Sequence, residues 1–282
     1  MCGIIGVYHP GQASGVSEQA VRRMLSSMVH RGPDGQGLFQ DGSVFMGHRR
    51  LSIIDLASGS QPMSNEDRTI HVCANGEIFN YRELMVELAG QGHRFRTSCD
   101  IEVILHLYER YGIEMFAHME GQFAFALWDT VRRRLVLARD RFGIAPLYYA
   151  THGDALVFAS EIKAMLPVLG RLRLSPEGMA QVFTFWSAVA PRTVFEGIWQ
   201  LRPGQCMVFE EGRRRPFLYW DVSFPPRGAH DIQEEAQAMK GLHEILDEAA
   251  SLRLRSDVPV GAYLSGGLDS SVISVLVKTY VP

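Results

Sequence analysis

The chain has 282 residues, 46% of them hydrophobic, and a formal charge of -3 at neutral pH. That length suffices for one large domain or two, and the near-neutral charge gives no electrostatic footprint for nucleic acid. Because no apolar run reaches about 18 residues and no basic, then apolar, leader is seen, the sequence predicts no membrane span, no secretory signal and a cytoplasmic location.

The cysteines and histidines give no sign of a disulfide framework or a metal site. The four cysteines are scattered without CxxC spacing, which favours a reducing compartment. The ten histidines form neither HExxH nor paired Cys/His spacing, which predicts no structural zinc. The arginine triplets 132–134 and 213–215 are interpreted as exposed turns.

The first 220 residues alternate short strands with a few helices. Strands are predicted over residues 3–8, 44–50, 71–74, 123–128, 135–139, 147–150, 155–159 and 205–209. Helices are predicted after the capping positions Ser17, Asn80, Asp100, Glu161 and Ser175. This order predicts an α+β layered domain with mostly antiparallel sheets.

A change of pattern follows residue 220. Residues 221–232, with adjacent prolines, are interpreted as an interdomain linker between domains at 2–220 and 233–282. Beyond it the pattern predicts an amphipathic helix over 233–255, a strand over 259–264, a glycine-rich turn at 265–270 and a helix over 271–280. That succession is typical of the opening unit of an α/β parallel sheet.

The glycine-rich turn SGGLDS at 265–270 is a candidate phosphate site. A strand that enters a Gly-Gly bend and then a helix presents backbone N–H groups and the positive end of the helix dipole. It is not a Walker A loop, which would carry a lysine. The alternative is a plain strand-to-helix connection.

Cys2 is a candidate nucleophile. If Met1 is removed, Cys2 carries both a thiol and an α-amine, whose reference pKa is about 7.7 to 8.0. Such an amine can accept the thiol proton without a separate histidine base. The alternative is that Cys2 is only the small apolar start of a strand containing Ile4, Ile5 and Val7.

Nine motifs in a fixed order support the first interpretation. They are MCGI at 1–4, HRGPD at 30–34, RRLSI at 49–53, NGEI at 75–78, GQFAF at 121–125, RDRFG at 139–143, PLYY at 146–149, SE with KA at 160–164 and SGGLDSS at 265–271. With them, the sequence resembles the glutamine-hydrolysing asparagine synthetases. In these, a class II glutamine amidotransferase domain precedes an ATP-pyrophosphatase-type synthetase domain.

The resemblance implies a four-layer αββα N-terminal-nucleophile sandwich, followed by the start of a nucleotide-binding domain. It implies that Cys2 attacks the side-chain amide of glutamine, and that Asn75 and Gly76 stabilise the oxyanion. Without the resemblance, an Asn-Gly pair would be interpreted as a hairpin turn. No cofactor is expected for this hydrolysis.

The same resemblance implies a pocket for the charged groups of glutamine. Arg50 would grip the α-carboxylate with its guanidinium fork, and Glu77 and Asp100 would hold the α-ammonium. Leu51 and Ile53 would add backbone contacts. Asp100 can also be interpreted as an ordinary helix N-cap, and Cys99 beside it departs from the usual Ser-Asp-Thr-Glu pattern of the family.

For the second domain, the resemblance implies ATP and magnesium as cofactors and aspartate as the ammonia acceptor. The residues expected around ATP are Leu264 by the nucleoside, Ser265, Gly266, Gly267, Ser270 and Ser271 at the phosphates, and Asp269 at magnesium. Glutamine, aspartate and ATP are the expected partners, nucleic acid and membrane are not, and a homodimer is the expected assembly.

Only one βα unit follows the long helix, so we expect residues 1–282 alone to hydrolyse glutamine without completing amide synthesis. Three alternatives stay open. One is a related class II amidotransferase that makes sugar amines or phosphoribosylamine, and another is an enzyme that amidates a different carboxylate. The third is a non-catalytic module, against which the joint presence of Cys2, Arg50, Asn75 and Glu77 argues.

Overall fold

A computed structural model describes residues 1–11, 15–229 and 234–281. The chain divides into two compact units, Met1–Asp221 and Val222–Pro282. The last residues of the expected linker, 230–232, and the expected helix start at Gln233 lie outside the described residues. In the three described ranges, no helix has the length and apolar character needed to cross a membrane.

Unit 1 contains two six-stranded sheets in which every pairing is antiparallel. The first sheet comprises β1 (Gly3–Tyr8), β2 (Gly35–Asp41), β3 (Val44–Arg50), β8 (Tyr148–His152), β9 (Ala155–Ala159) and β10 (Ile198–Gln200), in the order β10-β8-β9-β1-β3-β2. The second comprises β4 (Met63–Ser64), β5 (Ile70–Ile78), β6 (Gly121–Asp129), β7 (Arg134–Arg139), β11 (Gln205–Glu210) and β12 (Arg213–Leu218), in the order β12-β11-β7-β6-β5-β4.

The helices of unit 1 lie outside the sheets. They are α1 (Glu18–Ser26), α2 (Tyr81–Gly90), α3 (Glu102–Tyr111), α4 (Leu166–Leu169) and α5 (Pro176–Phe185), with 3-10 helices at Gly112–Ala117 and Ile162–Met165. Ser17 caps α1 by accepting a hydrogen bond from the Ala20 N–H at 3.2 Å. The Met24 and Leu25 side chains of α1 are buried in the core that also takes side chains from β1 and β9.

Side-chain alternation along the strands explains the four layers. In β6, Phe123 and Phe125 pack in the core with α2 and α3, whereas Ala124 and Trp128 pack in the core between the sheets. Successive strand residues point to opposite faces, and here both faces are covered. Central strands such as β6 and β9 are therefore continuous apolar runs, and the expected αββα sandwich is confirmed.

Three differences from the expected strands have a common cause. β2, β4, β10 and β12 were not expected, because their own sequences lack apolar alternation and their strand partners define them. The turn assigned to 213–215 is wrong, since these residues begin β12 and pair with β11. Likewise β5 continues past residue 74 to Ile78, because β6 pairs with it through Gly121.

The expected start of α3 is also corrected. Its N-cap is Ile101, and the Asp100 side chain makes no cap. Instead the Asp100 carboxylate accepts a hydrogen bond from the Ile78 N–H at 2.9 Å. The Asp100 side chain thus bonds to the end of β5, which is distant in sequence, and does not cap the helix.

Unit 2 contains α6 (Glu235–Arg253) and α7 (Leu268–Tyr280). The Tyr280 hydroxyl donates to the Asp247 carboxylate at 2.6 Å and links the two helices. The strand expected over 259–264 is wrong: these residues form no ladder, and the described part of unit 2 has no strand with which they could pair. A strand needs a neighbour to receive its backbone hydrogen bonds.

Candidate active site

A cleft opens beside Cys2 in unit 1. All eight residues expected around glutamine line it: Cys2, Arg50, Leu51, Ile53, Asn75, Gly76, Glu77 and Asp100. They come from the start of β1, the end of β3, the end of β5 and the segment before α3. The sheet pairings thus bring together residues that are up to 98 positions apart in the printed sequence.

Leu51 contacts the Cys2 side chain, and Arg31 contacts the Cys2 backbone. The Leu51 N–H donates to Cys2 Sγ at 3.3 Å, and the thiol faces the Leu51 carbonyl at 3.6 Å. Arg31 Nε donates to the Cys2 carbonyl at 2.8 Å. Burial raises the pKa of the Cys2 thiol, so the thiol is protonated at neutral pH and needs a base to become a nucleophile.

Asn75 offers a buried amide donor to the cleft. The residue is 2% exposed, and Asn75 Nδ2 has no hydrogen-bond partner among the described residues. Leaving such a donor unsatisfied costs about 1 to 3 kcal/mol. An oxygen atom bound in the cleft would satisfy it.

Gly76 follows Asn75 in β5 and cannot be replaced without strain. Its φ is 145°, and a Cβ there would lie 2.0 Å from the carbonyl oxygen of Gln122 on β6. The Asn-Gly pair therefore lies inside a paired strand and is not a hairpin turn. Gly76 lies opposite Phe123 in the register of β5 and β6, and both Asn75 and Gly76 line the cleft.

A turn of the chain fixes the guanidinium of Arg50. Arg50 Nη1 donates to the Leu56 carbonyl at 3.3 Å, Nη2 donates to the Ile54 carbonyl at 3.2 Å, and Nη2 also donates to the Asp55 carbonyl. Gly59 makes this possible, because a Cβ at that position would lie 2.3 Å from Arg50 Nη2.

The Asp55 carboxylate stabilises that turn by hydrogen bonds. Its carboxylate accepts hydrogen bonds from the Ser58 N–H at 2.8 Å and the Ser98 N–H at 2.9 Å. Burial alone would raise the pKa of Asp55, but the bonds from Ser58 and Ser98 outweigh it and lower the pKa to about 2. The Arg50 turn is thereby tied to the segment that leads to Asp100.

The carboxyl group of Asp100 is 3% exposed and carries an unusual pKa. Burial, reinforced by the negative charge of Glu77, raises its pKa to about 7, although the Ile78 N–H bond opposes the change. The thiol of Cys99 donates to Asp100 Oδ1 at 3.5 Å. A cation placed near Asp100 would restore its negative charge.

Two side chains of the RDRFG motif build the rim of the cleft. The Arg139 guanidinium donates to the carbonyls of Gly143, Ala145 and Leu201. The Asp140 carboxylate accepts from four backbone N–H groups, those of Phe123, Phe142, Ile144 and Ala145. This network fixes Ile144 and Ala145, which line the cleft.

Sequence reasoning missed several residues around the cleft. The missed lining residues are Met1, Ile54, Gly59, Gln61, Ile101, Gln122, Ile144 and Ala145, whereas Cys99, noted in the sequence beside Asp100, does line the cleft. Gln61 Oε1 accepts from the Ala74 N–H at 2.7 Å, and His48 Nε2 donates to the Ala74 carbonyl at 3.0 Å. Burial lowers the pKa of His48 to about 3, so this imidazole is neutral. His48 precedes the RRLSI motif directly, which is the one sequence signal that could have drawn attention to it.

The expected phosphate site in unit 2 differs from the cleft, because most of its residues are exposed. Leu264 is 65% exposed, and Ser265, Gly266, Gly267 and Asp269 are also exposed. Ser265 Oγ and Ser270 Oγ lie 3.0 Å apart, and the Ser271 hydroxyl donates to the Gly267 carbonyl at 2.8 Å. The hydroxyls thus bond within the turn, which Gly266 closes with a φ of 83°.

The donor types of this turn nonetheless fit a phosphate and its magnesium ion. Gly267 is the N-cap of α7 and has no capping side chain, so none competes for the backbone N–H groups of the first helical turn. Asp269 in that turn offers a hard oxygen of the kind that magnesium prefers.

Known proteins match both units. Residues 1–220 match the family described as "Glutamine amidotransferase domain", and residues 241–282 match the family described as "Asparagine synthase". Amidase chry2 of Gibberella zeae is 40% identical over 99% of this chain and 43% of its own length. Asparagine synthetase [glutamine-hydrolyzing] 1 of Bacillus subtilis is 38% identical over the whole chain and 44% of its own length.

Solved structures show the same fold. The glutamine phosphoribosylpyrophosphate amidotransferase of B. subtilis aligns with 99% of this chain and 64% of its own, with a TM-score of 0.58 at 20% identity. A sandwich of two antiparallel sheets with a thiol at the start of the first strand defines the class of N-terminal-nucleophile folds. Within that class, the chain belongs to the glutamine amidotransferase domain family. It spans less than half the length of the two curated relatives named above.

Proposed function

We propose that residues 2–220 are a glutaminase domain in which Cys2, once Met1 has been removed, releases ammonia from glutamine. The observation that supports this best is the buried Asn75 amide without a partner, in the same cleft as the Cys2 thiol. The names of the relatives agree, because several are glutamine-hydrolysing asparagine synthetases. Met1 lines the cleft while it is present, so its removal also opens the site.

The reaction begins with transfer of the Cys2 thiol proton to the newly freed α-amine of the same residue. The thiolate then forms a bond to the side-chain carbonyl carbon of glutamine. Asn75 Nδ2 and the Gly76 N–H donate to the oxygen on which negative charge develops, each contributing about 3 kcal/mol. The protonated amine returns its proton to the leaving nitrogen, the C–N bond breaks, and water hydrolyses the thioester to glutamate.

Binding of glutamine relies on its α-carboxylate and its α-ammonium, which carry opposite charges. The Arg50 fork binds the α-carboxylate, with Leu51 and Ile53 providing backbone contacts beside it. Glu77 and Asp100 bind the α-ammonium. Because the pKa of Asp100 is about 7 in the free protein, the incoming ammonium ionises it and gains a full charge interaction.

The second step that we propose is transfer of the ammonia to a carboxylate activated by ATP. Bound ATP would supply the AMP group that activates the carboxylate, with pyrophosphate as the leaving group, and magnesium would neutralise the phosphates. The phosphates would lie on the turn of Ser265, Gly266, Gly267, Ser270 and Ser271, with Leu264 at the nucleoside and Asp269 at magnesium. Residues 233–282 would then be the start of the synthetase domain, joined by the linker at 221–232.

Aspartate is the acceptor that we propose, and a different carboxylate is the second candidate. The relatives named as asparagine synthetases favour aspartate. Two relatives, at 40% and 38% identity, are instead named amidases, so the second candidate stays open.

The glutaminase proposal is tested by labelling and substitution. A glutamine-like chloroketone should modify Cys2, and mass spectrometry of the purified chain should show that Met1 is absent. Cys2→Ala should lower glutamine hydrolysis by about 10⁴-fold or more. Cys206→Ala, which changes a thiol buried under the second sheet, should leave the rate within about twofold. Undiminished hydrolysis in Cys2→Ala would refute the proposal.

The acceptor is tested separately in the complete gene product. Glutamine labelled with ¹⁵N in its amide is supplied with ATP, magnesium and either aspartate or a mixture of other carboxylic acids. Labelled asparagine supports the first candidate. A labelled amide formed only from the mixture supports the second.

A further inference from the structure

A cluster of two histidines and one glutamate lies on the helical layer beside the second sheet. His93 follows α2, and His106 and Glu109 lie one turn apart on α3. His93 Nδ1 and His106 Nδ1 are each 2.9 Å from Glu109 Oε2. One ligand atom from each of the three side chains lies within 4.8 Å of the other two.

An outer partner already fixes the glutamate. Asn65 Nδ2 donates to Glu109 Oε1 at 2.8 Å, which leaves Oε2 directed at the two imidazoles. Metal-binding carboxylates commonly accept a further hydrogen bond in this way. On the far side of the ring, His106 Nε2 has no hydrogen-bond partner among the described residues, and Glu102 Oε1 lies 3.8 Å from it.

The cluster is buried at His106 and partly exposed to solvent at His93 and Glu109. The His106 side chain is 1% exposed, and the edge of the Phe95 ring packs against it with ring centroids 4.5 Å apart. The side chains of His93 and Glu109 are 18% and 22% exposed. An ion can therefore enter from solvent and keep a water molecule as its fourth ligand.

We propose that His93, His106 and Glu109 bind one transition-metal dication of the zinc type. Two imidazole nitrogens and one carboxylate oxygen suit zinc and its neighbours, whereas magnesium and calcium prefer oxygen ligands alone. The ion would pin the segment after α2 to α3. This site is separate from the glutaminase cleft and does not depend on the proposed function.

Sequence spacing does not reveal this cluster. Only His106 and Glu109 form a recognisable pair on one helix face, and His93 lies thirteen residues earlier beyond a turn. The sequence-based prediction of no structural zinc considered only motifs in which the ligands are closely spaced. Packing of the segment that contains His93 against α3 supplies the third ligand.

An ion-pair network of the same residues is the competing interpretation. Burial alone would lower the pKa of His106, but the carboxylates of Glu102 and Glu109 outweigh it and raise the pKa to about 9. Glu66 adds to the negative potential, and His93 faces the same oxygen. Without a metal, His106 thus carries a proton, which a metal must displace.

The test is a titration of the whole chain with Co²⁺, followed by competition with Zn²⁺, at pH 8. The Cys2→Ala protein is used, so that the reactive thiol does not bind the ion. We expect one Co²⁺ per chain with the visible spectrum of a four-coordinate site, and its displacement by Zn²⁺. His93→Gln should weaken binding about 100-fold or more, since loss of an outer partner alone costs up to that amount.

Two further variants make the test decisive. His152→Gln changes an exposed histidine on β8 and should bind Co²⁺ as the parent does. Glu109→Gln keeps the shape and the bond to Asn65 but removes the ligand charge, so it should weaken binding as His93→Gln does. Zn²⁺ should also raise the unfolding temperature of the parent and not that of His93→Gln. Absence of one-to-one binding, or equal affinity in His93→Gln and the parent, would overturn the proposal.

Discussion

The cleft around Cys2 and the turn at residues 265–271 carry motifs of similar clarity in the sequence, but the structure gives them opposite surroundings. In the cleft, Asn75 and Asp100 are buried, and strands distant in the chain determine where they point. In the turn, Ser265 and Ser270 bond to each other and Leu264 is 65% exposed.

This difference shows that burial changes the pKa and the hydrogen bonding of a side chain in ways that its sequence motif does not reveal. Burial raises the pKa of Asp100 to about 7 and leaves the Asn75 amide without a partner, so both groups gain by binding substrate. An exposed serine or glycine is solvated instead, and its interaction with a ligand must replace bonds to water. Five predictions test the contrast.

The largest effect is expected at Asn75. Asn75→Ala removes a buried donor aimed at the developing oxyanion, so kcat for glutamine hydrolysis should fall about 10²- to 10³-fold. Asn80→Ala is the matched control, because Asn80 donates to the His118 carbonyl and accepts from the Glu120 N–H outside the cleft. It should lower stability by about 1 kcal/mol with little change in kcat. Equal kcat in the two variants would contradict the role of Asn75.

Gly59→Ala tests whether the close approach of Gly59 to the Arg50 guanidinium is needed for glutamine binding. The new Cβ would lie 2.3 Å from Arg50 Nη2, so the guanidinium must move and lose its grip on the α-carboxylate. Loss of a charge-assisted bond of about 1.5 to 3 kcal/mol should raise KM for glutamine about ten- to a hundredfold. Gly90→Ala, at a position with nothing within 4 Å, should leave KM unchanged.

The pH dependence of glutamine binding tests Asp100. Below its pKa of about 7 the carboxyl group is neutral and attracts the α-ammonium less, so Kd should rise about tenfold from pH 8 to pH 6. Calorimetry on the Cys2→Ala protein measures this without turnover. In a protein that also carries Asp100→Asn, Kd should no longer change over this range.

The same pKa has a consequence for stability. Because the folded protein holds the proton more tightly than the unfolded chain, the contribution of Asp100 favours folding below about pH 4 and is lost as the pH rises through 7. At pH 8 the charged group costs on the order of 4 kcal/mol relative to an unshifted carboxyl. Asp100→Asn should therefore unfold at higher denaturant concentration than the parent at pH 8, and lower stability there would contradict the assigned shift.

The smallest effects are expected from one serine in each region. Ser160 is fully buried and accepts from the Ile4 N–H at 3.0 Å, so Ser160→Ala should destabilise unit 1 by about 1 to 3 kcal/mol. Ser265→Ala removes bonds within an exposed turn and should cost less than about 0.5 kcal/mol. Hydrogen exchange measured for each unit would show the difference, and similar costs would contradict it.

Much of the fold and most of the cleft could be predicted from the sequence. Strands such as β6 and β9 are apolar at consecutive positions because both faces of each sheet are covered, so their own residues predict them. The residues expected around glutamine lie in short motifs whose roles the family resemblance supplied. Local chemistry alone indicated Cys2, and it would have assigned Asn75 and Gly76 to a hairpin turn.

The bonding partner of each group could be seen only in the folded protein. Asp100 turns from its helix to the Ile78 N–H, Gly59 lies against Arg50, and His93 meets Glu109. The stretch 259–264 is apolar enough for a strand but pairs with none in the described residues. The physical reason is the same in each case. A buried hydrogen bond or a ladder depends on a second segment whose position in space is not encoded in the local pattern of the first.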